Sequence, residues 1–323
     1  MRAKLTQSMK DYEYTCSNVM DADFYFKGLD YVRSSYKALF SRFPPKPRDG
    51  TVSEDLQFNS SVTDKILDMR MHSPNEQLES KQILPCIIYA HGGGFVSGDL
   101  SVVDAMGRDL ALDLNVRVVA FNYRLAPEHP YPAALEDCCD VYLFIRQIAK
   151  QKGINIDQIY FAGESCGGNW AIALPLWLRD NNLPQLAGSI AINPVLDVHR
   201  WAQKKVSDVS KAFCDEMHFF TTSYLGQNEK KLIQYASPLL ADNLSGLPPA
   251  VFWSAAIDPL SDDVRTLSDR MKQNGINVYV NIEDEAIHGC LRARYHYLFA
   301  KKGYDNLLLL ITNLISLKMK NKN

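Results

Sequence analysis

Six short apolar-rich runs mark the chain: Cys86–Ala90, Val116–Phe121, Ile159–Ala162, Ser189–Ile192, Val251–Ile257 and Val278–Ile282. Such runs, nearly continuous rather than alternating, predict strands buried on both faces. Between them lie stretches with helical spacing: Asp104–Leu114, Ala133–Gln151, Asn169–Arg179 and Asp262–Gln273. Alternation of strand and helix predicts an α/β fold, a mostly parallel sheet with helices on both faces. In sheets of this kind the ligand site lies beyond the carboxyl ends of the strands. Upstream, Asp55–Val62 and Lys65–His72 alternate roughly and predict an antiparallel pair, followed by a polar linker from Pro74 to Lys81.

Two segments break the alternation. Residues 1 to about 45 read as helical and are rich in rings (Phe24, Tyr25, Phe26, Tyr31, Tyr36, Phe40 and Phe43), until Pro44-Pro45-Lys46-Pro47 stops them. From about Asp197 to Tyr235 runs a mixed aromatic and charged sequence with Trp201, Phe213, Phe219, Phe220 and Tyr224. The expected organisation is N-terminal cap helices over 1–48 and a core over 49–323, with a second cap insertion at about 197–236. The rings of the first segment either pack on the core or roof a substrate pocket, and the two readings are compatible.

Composition narrows the function classes. A net charge of −2 over 323 residues gives no field for nucleic acid or an anionic membrane. The N-terminal residues lack the apolar stretch of a secretory signal. The apolar run Leu307–Leu317 is too short to span a bilayer, so a helix packed on the core is expected. Seven cysteines, an odd number without a C-x-x-C pair, predict free thiols in a reducing cytoplasm and no zinc site.

The chemistry centres on Ile159–Asn169. A short strand runs into Gly163-Glu164-Ser165-Cys166-Gly167, which fits G-x-S-x-G, and a helix follows at once. A serine at a sharp strand-to-helix turn is held with its hydroxyl exposed, and the helix N-terminus favours negative charge beside it. A serine needs a base, and the base needs an orienting group. His288 follows the last predicted strand in a loop, and Asp258 closes the strand Val251–Ile257. Asp258 also suits a helix cap, with Asp262, Asp263 and Asp284 as substitutes for the orienting role. His72, His199, His218 and His296 fall outside the expected strand-end loops. The order Ser165, Asp258, His288 is the one an α/β-hydrolase requires. His91-Gly92-Gly93-Gly94-Phe95 follows the strand Cys86–Ala90. Its glycines can turn backbone N–H groups inward, so Gly93 and Gly94, with Cys166 after the serine, are the expected oxyanion donors. Neither G-K-[ST] nor G-x-G-x-x-G is present, which argues against a phosphate-binding loop.

Taken together, His91–Phe95 with Gly98-Asp99, Tyr123–Ala134, Gly163–Gly168, Asp258-Pro259-Leu260 and His288-Gly289 resemble the hormone-sensitive-lipase-like family of α/β-hydrolases. The bacterial acetyl-esterase-like members are the most similar, over roughly residues 80–300. The resemblance implies an α/β-hydrolase fold with a helical cap. It implies hydrolysis of short-chain carboxylic esters by Ser165 as nucleophile, His288 as base then acid, and Asp258 as orienter. It implies no cofactor and no metal. A small-molecule ester is the expected partner, and a homodimer is left open. The Tyr123–Ala134 block is expected to buttress the site rather than touch substrate. Where the family has Asp-Ser-Ala, this chain has Glu164-Ser165-Cys166, which makes the Cys166 thiol a candidate for oxidation or alkylation at the site. Cys290 stands where Phe is common and is a candidate change in pocket shape. Two other readings stay open: the same triad acting on amides, and a binding or regulatory protein on the hydrolase scaffold.

Overall fold

A computed structural model describes residues 5–60, 65–75, 82–207, 209–227 and 233–320. Eight strands form one sheet: β1 (Thr51–Asn59), β2 (Ile66–Pro74), β3 (Leu84–Ala90), β4 (Arg117–Phe121), β5 (Ile154–Glu164), β6 (Gly188–Ile192), β7 (Ala250–Ala255) and β8 (Val278–Glu283). Their spatial order is β1-β2-β4-β3-β5-β6-β7-β8. The β1–β2 and β2–β4 pairs are antiparallel and the other five are parallel. β1 is an exposed edge, whereas every residue of β4, β6 and β7 is buried.

Because side chains alternate along a strand, the central strands supply two cores. Ile88, Phe161, Ala191 and Phe252 face one side, where helices α4 (Ala133–Ile148), α5 (Cys166–Asp180) and α9 (Ser261–Gln273) cover them. Ile87, Tyr89, Tyr160, Ile190 and Trp253 face the other, against α3 (Leu100–Leu114) and α10 (Leu298–Lys320). No helix among the described residues is long and apolar enough to cross a membrane.

Element ends differ from the sequence expectation for local reasons. α3 begins four residues before Asp104, because the Asp99 carboxylate accepts from the Ser101 amide at 2.8 Å and Asn122 Oδ1 accepts from the Leu100 amide at 2.9 Å. α5 begins at Cys166 rather than Asn169, so its first amides stand directly behind Ser165. β7 stops at Ala255 because the Asp258 amide turns back to the Ala255 carbonyl at 3.2 Å. Residues 61–64 and 76–81 lie outside the described residues, so Val62 and most of the linker expected after Pro74 fall there.

Two peripheral segments cover the carboxyl ends of the strands. The first comprises α1 (Gln7–Ser17), a 3-10 turn at Phe24–Lys27 and α2 (Leu29–Ser41). Arg33 of α2 holds it down by a two-pronged pair with Glu128 (2.7 and 2.8 Å) and a bond to the Val96 carbonyl (2.9 Å). The second includes α6 (Val198–Ala202), α7 (Lys211–Leu225) and α8 (Ile233–Ala236). Trp201 of α6, Met217, Tyr224 and Leu225 of α7 and Tyr235 of α8 are all buried in the first core, so the segment packs on the body of the domain along its length. Phe220 of α7 joins Phe24, Tyr25, Val32 and Val96 in a separate apolar cluster, which seats α7 against the first segment.

Candidate active site

Ser165 sits at the corner between β5 and α5 with φ 56° and ψ −115°, a conformation that a side chain rarely adopts. Its amide donates to the Ile192 carbonyl (2.9 Å), and its carbonyl accepts from the amides of Asn169 (3.1 Å) and Val195 (3.2 Å). These bonds over-determine the corner and aim the hydroxyl past the sheet edge. The corner also needs glycine at 167, where a Cβ would lie 2.3 Å from the Ala90 carbonyl oxygen.

His288 lies in the loop after β8. Its Nδ1 is 2.5 Å from Asp258 Oδ2 and its Nε2 is 3.2 Å from Ser165 Oγ. The other Asp258 oxygen accepts from the Leu260 amide at 2.9 Å, and the whole side chain is shut off from solvent. Asp258 does not cap the helix, since α9 starts at Ser261 with Leu260 as its N-cap and no side-chain cap; one Asp258 oxygen braces the turn before the helix and the other faces His288. Burial by itself lowers the pKa of His288, but the Asp258 carboxylate, by charge and hydrogen bond, outweighs it and the net shift is upward. With Nδ1–H given to Asp258, the Nε2 lone pair faces the serine hydroxyl. Of the substitute acids, Asp262 and Asp284 are exposed and Asp263 pairs with Arg200 at 2.8 Å. The histidines expected outside the strand-end loops are held elsewhere: His72 by Ser53, His199 by Ser237, His218 by the Ala202 carbonyl and His296 by the Pro44 carbonyl.

The glycine loop after β3 folds over the same corner. The Gly93 carbonyl accepts from the amides of Val96 (3.2 Å) and Ser97 (3.0 Å) and from the Ser97 hydroxyl (2.8 Å), closing a tight turn. At Gly94 (φ 61°) a Cβ would meet the Phe220 ring at 2.5 Å, so α7 closes on the loop as only glycine permits. Among the described residues, no carbonyl takes the amides of Gly93 and Gly94. Beside Ser165, the Gly93 amide and the first amide of α5 have no carbonyl partner among the described residues, while the Gly94 amide also faces the Cys166 sulfur.

The Tyr123 hydroxyl donates to the His91 carbonyl at 2.8 Å, and Arg124 pairs with the buried Asp137 at 2.8 Å. No residue of Tyr123–Ala134 reaches the cavity wall.

Two sequence expectations are corrected. The Cys166 thiol is fully buried beneath the glycine loop, 3.7 Å from the Tyr123 hydroxyl, and burial pushes its pKa up to about 11. A hidden, protonated thiol is inert to alkylation near neutral pH. Cys290 is likewise fully buried, in the second core, and does not shape the pocket.

Above Ser165 opens a cavity of about 430 Å³. Tyr12, Phe24 and Tyr36 of the first peripheral segment line it, as do Phe213, Glu216 and Phe220 of α7. Of the seven rings expected near the N-terminus, Phe24 and Tyr36 reach the cavity, while Phe43 packs on Tyr12 with centroids 5.1 Å apart and Phe26 is exposed. The Tyr12 hydroxyl donates to the Gly289 carbonyl at 3.0 Å, tying α1 to the His288 loop. Arg292 and Glu164 flank the cavity floor, with the Arg292 guanidinium 4.9 Å from the Phe40 ring centre. Sequence reasoning missed Tyr12, Glu216 and Arg292. The spacing Phe213, Glu216, Met217, Phe220 does carry a signal, a carboxylate within a helical apolar stripe.

A hydroxyl, an imidazole and a buried carboxylate in line at a helix N-terminus match the site layout of α/β-hydrolases. A family model described as the α/β-hydrolase fold matches residues 87–292. The chain is 33% identical over 224 residues to the esterase LipI of Mycobacterium tuberculosis, covering 64% of this chain and 65% of that protein. It is 28% identical over 267 residues to an arylesterase of Saccharolobus solfataricus, covering 81% and 84%. Among solved structures, an ester hydrolase from the Lake Arreo metagenome superposes with a TM-score of 0.83 at 26% identity, covering 97% of this chain and 99% of that one. A bacterial heroin esterase gives 0.80 at 26% identity, covering 90% and 93%. The chain belongs to the α/β-hydrolase fold family, in its hormone-sensitive-lipase-like branch.

Proposed function

We infer that this protein is a serine carboxylesterase acting on short-chain esters through an acyl-enzyme. The observation that carries the reading is the Ser165–His288–Asp258 chain of contacts, at 3.2 and 2.5 Å, opening into an aromatic-walled cavity. The names of the relatives, esterase and arylesterase, support ester rather than amide as substrate.

In this mechanism Ser165 Oγ attacks the ester carbonyl while its proton passes to His288 Nε2. The carbonyl oxygen becomes an oxyanion held by the amides of Gly93, Gly94 and Cys166. Each such donor typically stabilises the transition state by about 3 kcal/mol. The C–O bond then breaks, His288 gives its proton to the departing alcohol, and the acyl group stays on Ser165. Water, deprotonated by His288, attacks the acyl-enzyme and releases the acid, returning the proton to Ser165. Asp258 holds the imidazole with Nε2 toward the serine and stabilises its cation.

The resemblance to the acetyl-esterase-like members of the family supports an acetyl or butyryl group as the acyl part. Hydrolysis of p-nitrophenyl acetate, butyrate and palmitate tests this. The expected kcat/KM is highest for acetate or butyrate and at least about tenfold lower for palmitate. Equal or faster palmitate turnover would overturn the short-chain assignment. Turnover of none of the three would overturn the esterase reading itself.

A further inference from the structure

Of the charged groups that line the cavity and that the proposed chemistry does not use, Glu13 and Asp21 are exposed, Glu164 and Arg292 flank the floor, and Glu216 stands in the wall. Glu216 projects from α7 on the same face as Phe213 and Phe220, and it is half-buried. Among the described residues it has no hydrogen bond or ion pair. Its helix neighbour Asp215 takes both nearby lysines, Lys204 and Lys211, so neither is left for Glu216. Arg292 lies across the floor against the rings of Tyr36 and Phe40, with its charge offset by Glu164. The charge that acts on Glu216 is that of His288.

An unpaired carboxylate in an apolar wall is costly, and the favourable way to satisfy it is a cation. The surrounding rings of Phe24, Phe213 and Phe220 add faces that attract an ammonium group and tolerate its methyl groups. On the esterase reading, His288 hands its proton to the leaving oxygen, and Glu216 lines the same cavity and feels the charge of His288, which points to the alcohol half of the substrate. We propose that Glu216 selects esters whose alcohol part carries an ammonium group, which it receives between the rings of α7 and the first peripheral segment. Burial pushes the free carboxyl up to about 7, partly countered by His288, and an arriving cation holds it ionised.

The test compares acetylcholine with its neutral isostere 3,3-dimethylbutyl acetate on the full chain, in wild type, Glu216→Gln and Glu216→Asp. Wild type is expected to favour the cationic ester by about tenfold or more in kcat/KM, expressed mainly in KM. In Glu216→Gln the ratio falls to near one, and in Glu216→Asp the preference survives. The neutral ester is the internal control for folding in each protein. A ratio that is the same in wild type and Glu216→Gln, or a wild-type preference for the neutral ester, overturns the proposal. Turnover of p-nitrophenyl acetate without any preference for the cation sinks this inference alone. Loss of turnover on every ester in wild type sinks the esterase reading and this inference with it.

Discussion

Replacing Ser165 with alanine is expected to lower kcat on p-nitrophenyl acetate by about 10⁴- to 10⁶-fold, the range for removing a nucleophile that acts as a unit with its base. The fold is expected to survive. The corner is held by backbone bonds to Ile192, Asn169 and Val195, none of which uses the hydroxyl. The hydroxyl itself approaches His288 Nε2 at 3.2 Å, a partner that serves the chemistry rather than the corner. The check is a circular-dichroism melt beside the rate: an unshifted transition with vanished turnover supports the assignment. A variant that keeps more than about a tenth of the rate contradicts it, since among the described residues Ser165 is the hydroxyl bonded to His288 Nε2.

Asp258→Asn is expected to reduce kcat by about 10⁴-fold at neutral pH, as when the orienting acid of such a triad becomes an amide. The local bonding dictates the direction. Asp258 Oδ1 accepts from the Leu260 amide at 2.9 Å, so an asparagine would keep its carbonyl there and turn its NH₂ toward His288 Nδ1. The imidazole would then carry its proton on Nε2 and could no longer take one from Ser165. The pH profile gives a second reading. His288 must be neutral to act as base, and its pKa is raised above the ordinary 6.5 because Asp258 outweighs burial. The wild-type kcat/KM should therefore rise with pH through a limb above 6.5. Without the carboxylate, burial is left to act, and the residual activity of Asp258→Asn should show that limb shifted to lower pH. An unchanged limb would mean that some other group titrates.

The central strands and the glycine motifs were legible because apolar runs and G-x-S-x-G or H-G-G-G report local requirements. A strand buried on both faces has no polar alternative, and a backbone with φ 61° at Gly94 leaves little choice of residue. Helix starts were less legible. The first turn of α3 depends on Asn122, a partner 22 residues away, and not on apolar spacing. The cavity wall was hardest, since Tyr12 meets the His288 loop across 277 residues of sequence and α7 reaches Gly94 only in the folded chain. Cys166 illustrates the same limit from the other side. Its position beside the nucleophile suggested reactivity, but the loop that buries it comes from β3, and burial decides the chemistry of a thiol.

Glu216 and Arg292 follow this pattern, as charged residues whose role is defined by what converges on them. Asp258 was placed at the carboxyl end of β7 by the strand pattern, and the structure adds that its second oxygen is already committed to Leu260. That detail makes the asparagine variant informative, because the amide has one orientation open to it.

The most direct test of the account is to catch the covalent intermediate. Wild type mixed with p-nitrophenyl butyrate, quenched in acid within the first turnover and digested, should yield a peptide carrying one butyryl group on Ser165. The same treatment of Ser165→Ala should yield no acylated peptide. A butyryl group on another residue, or rapid hydrolysis with no acylation of Ser165, would contradict the account.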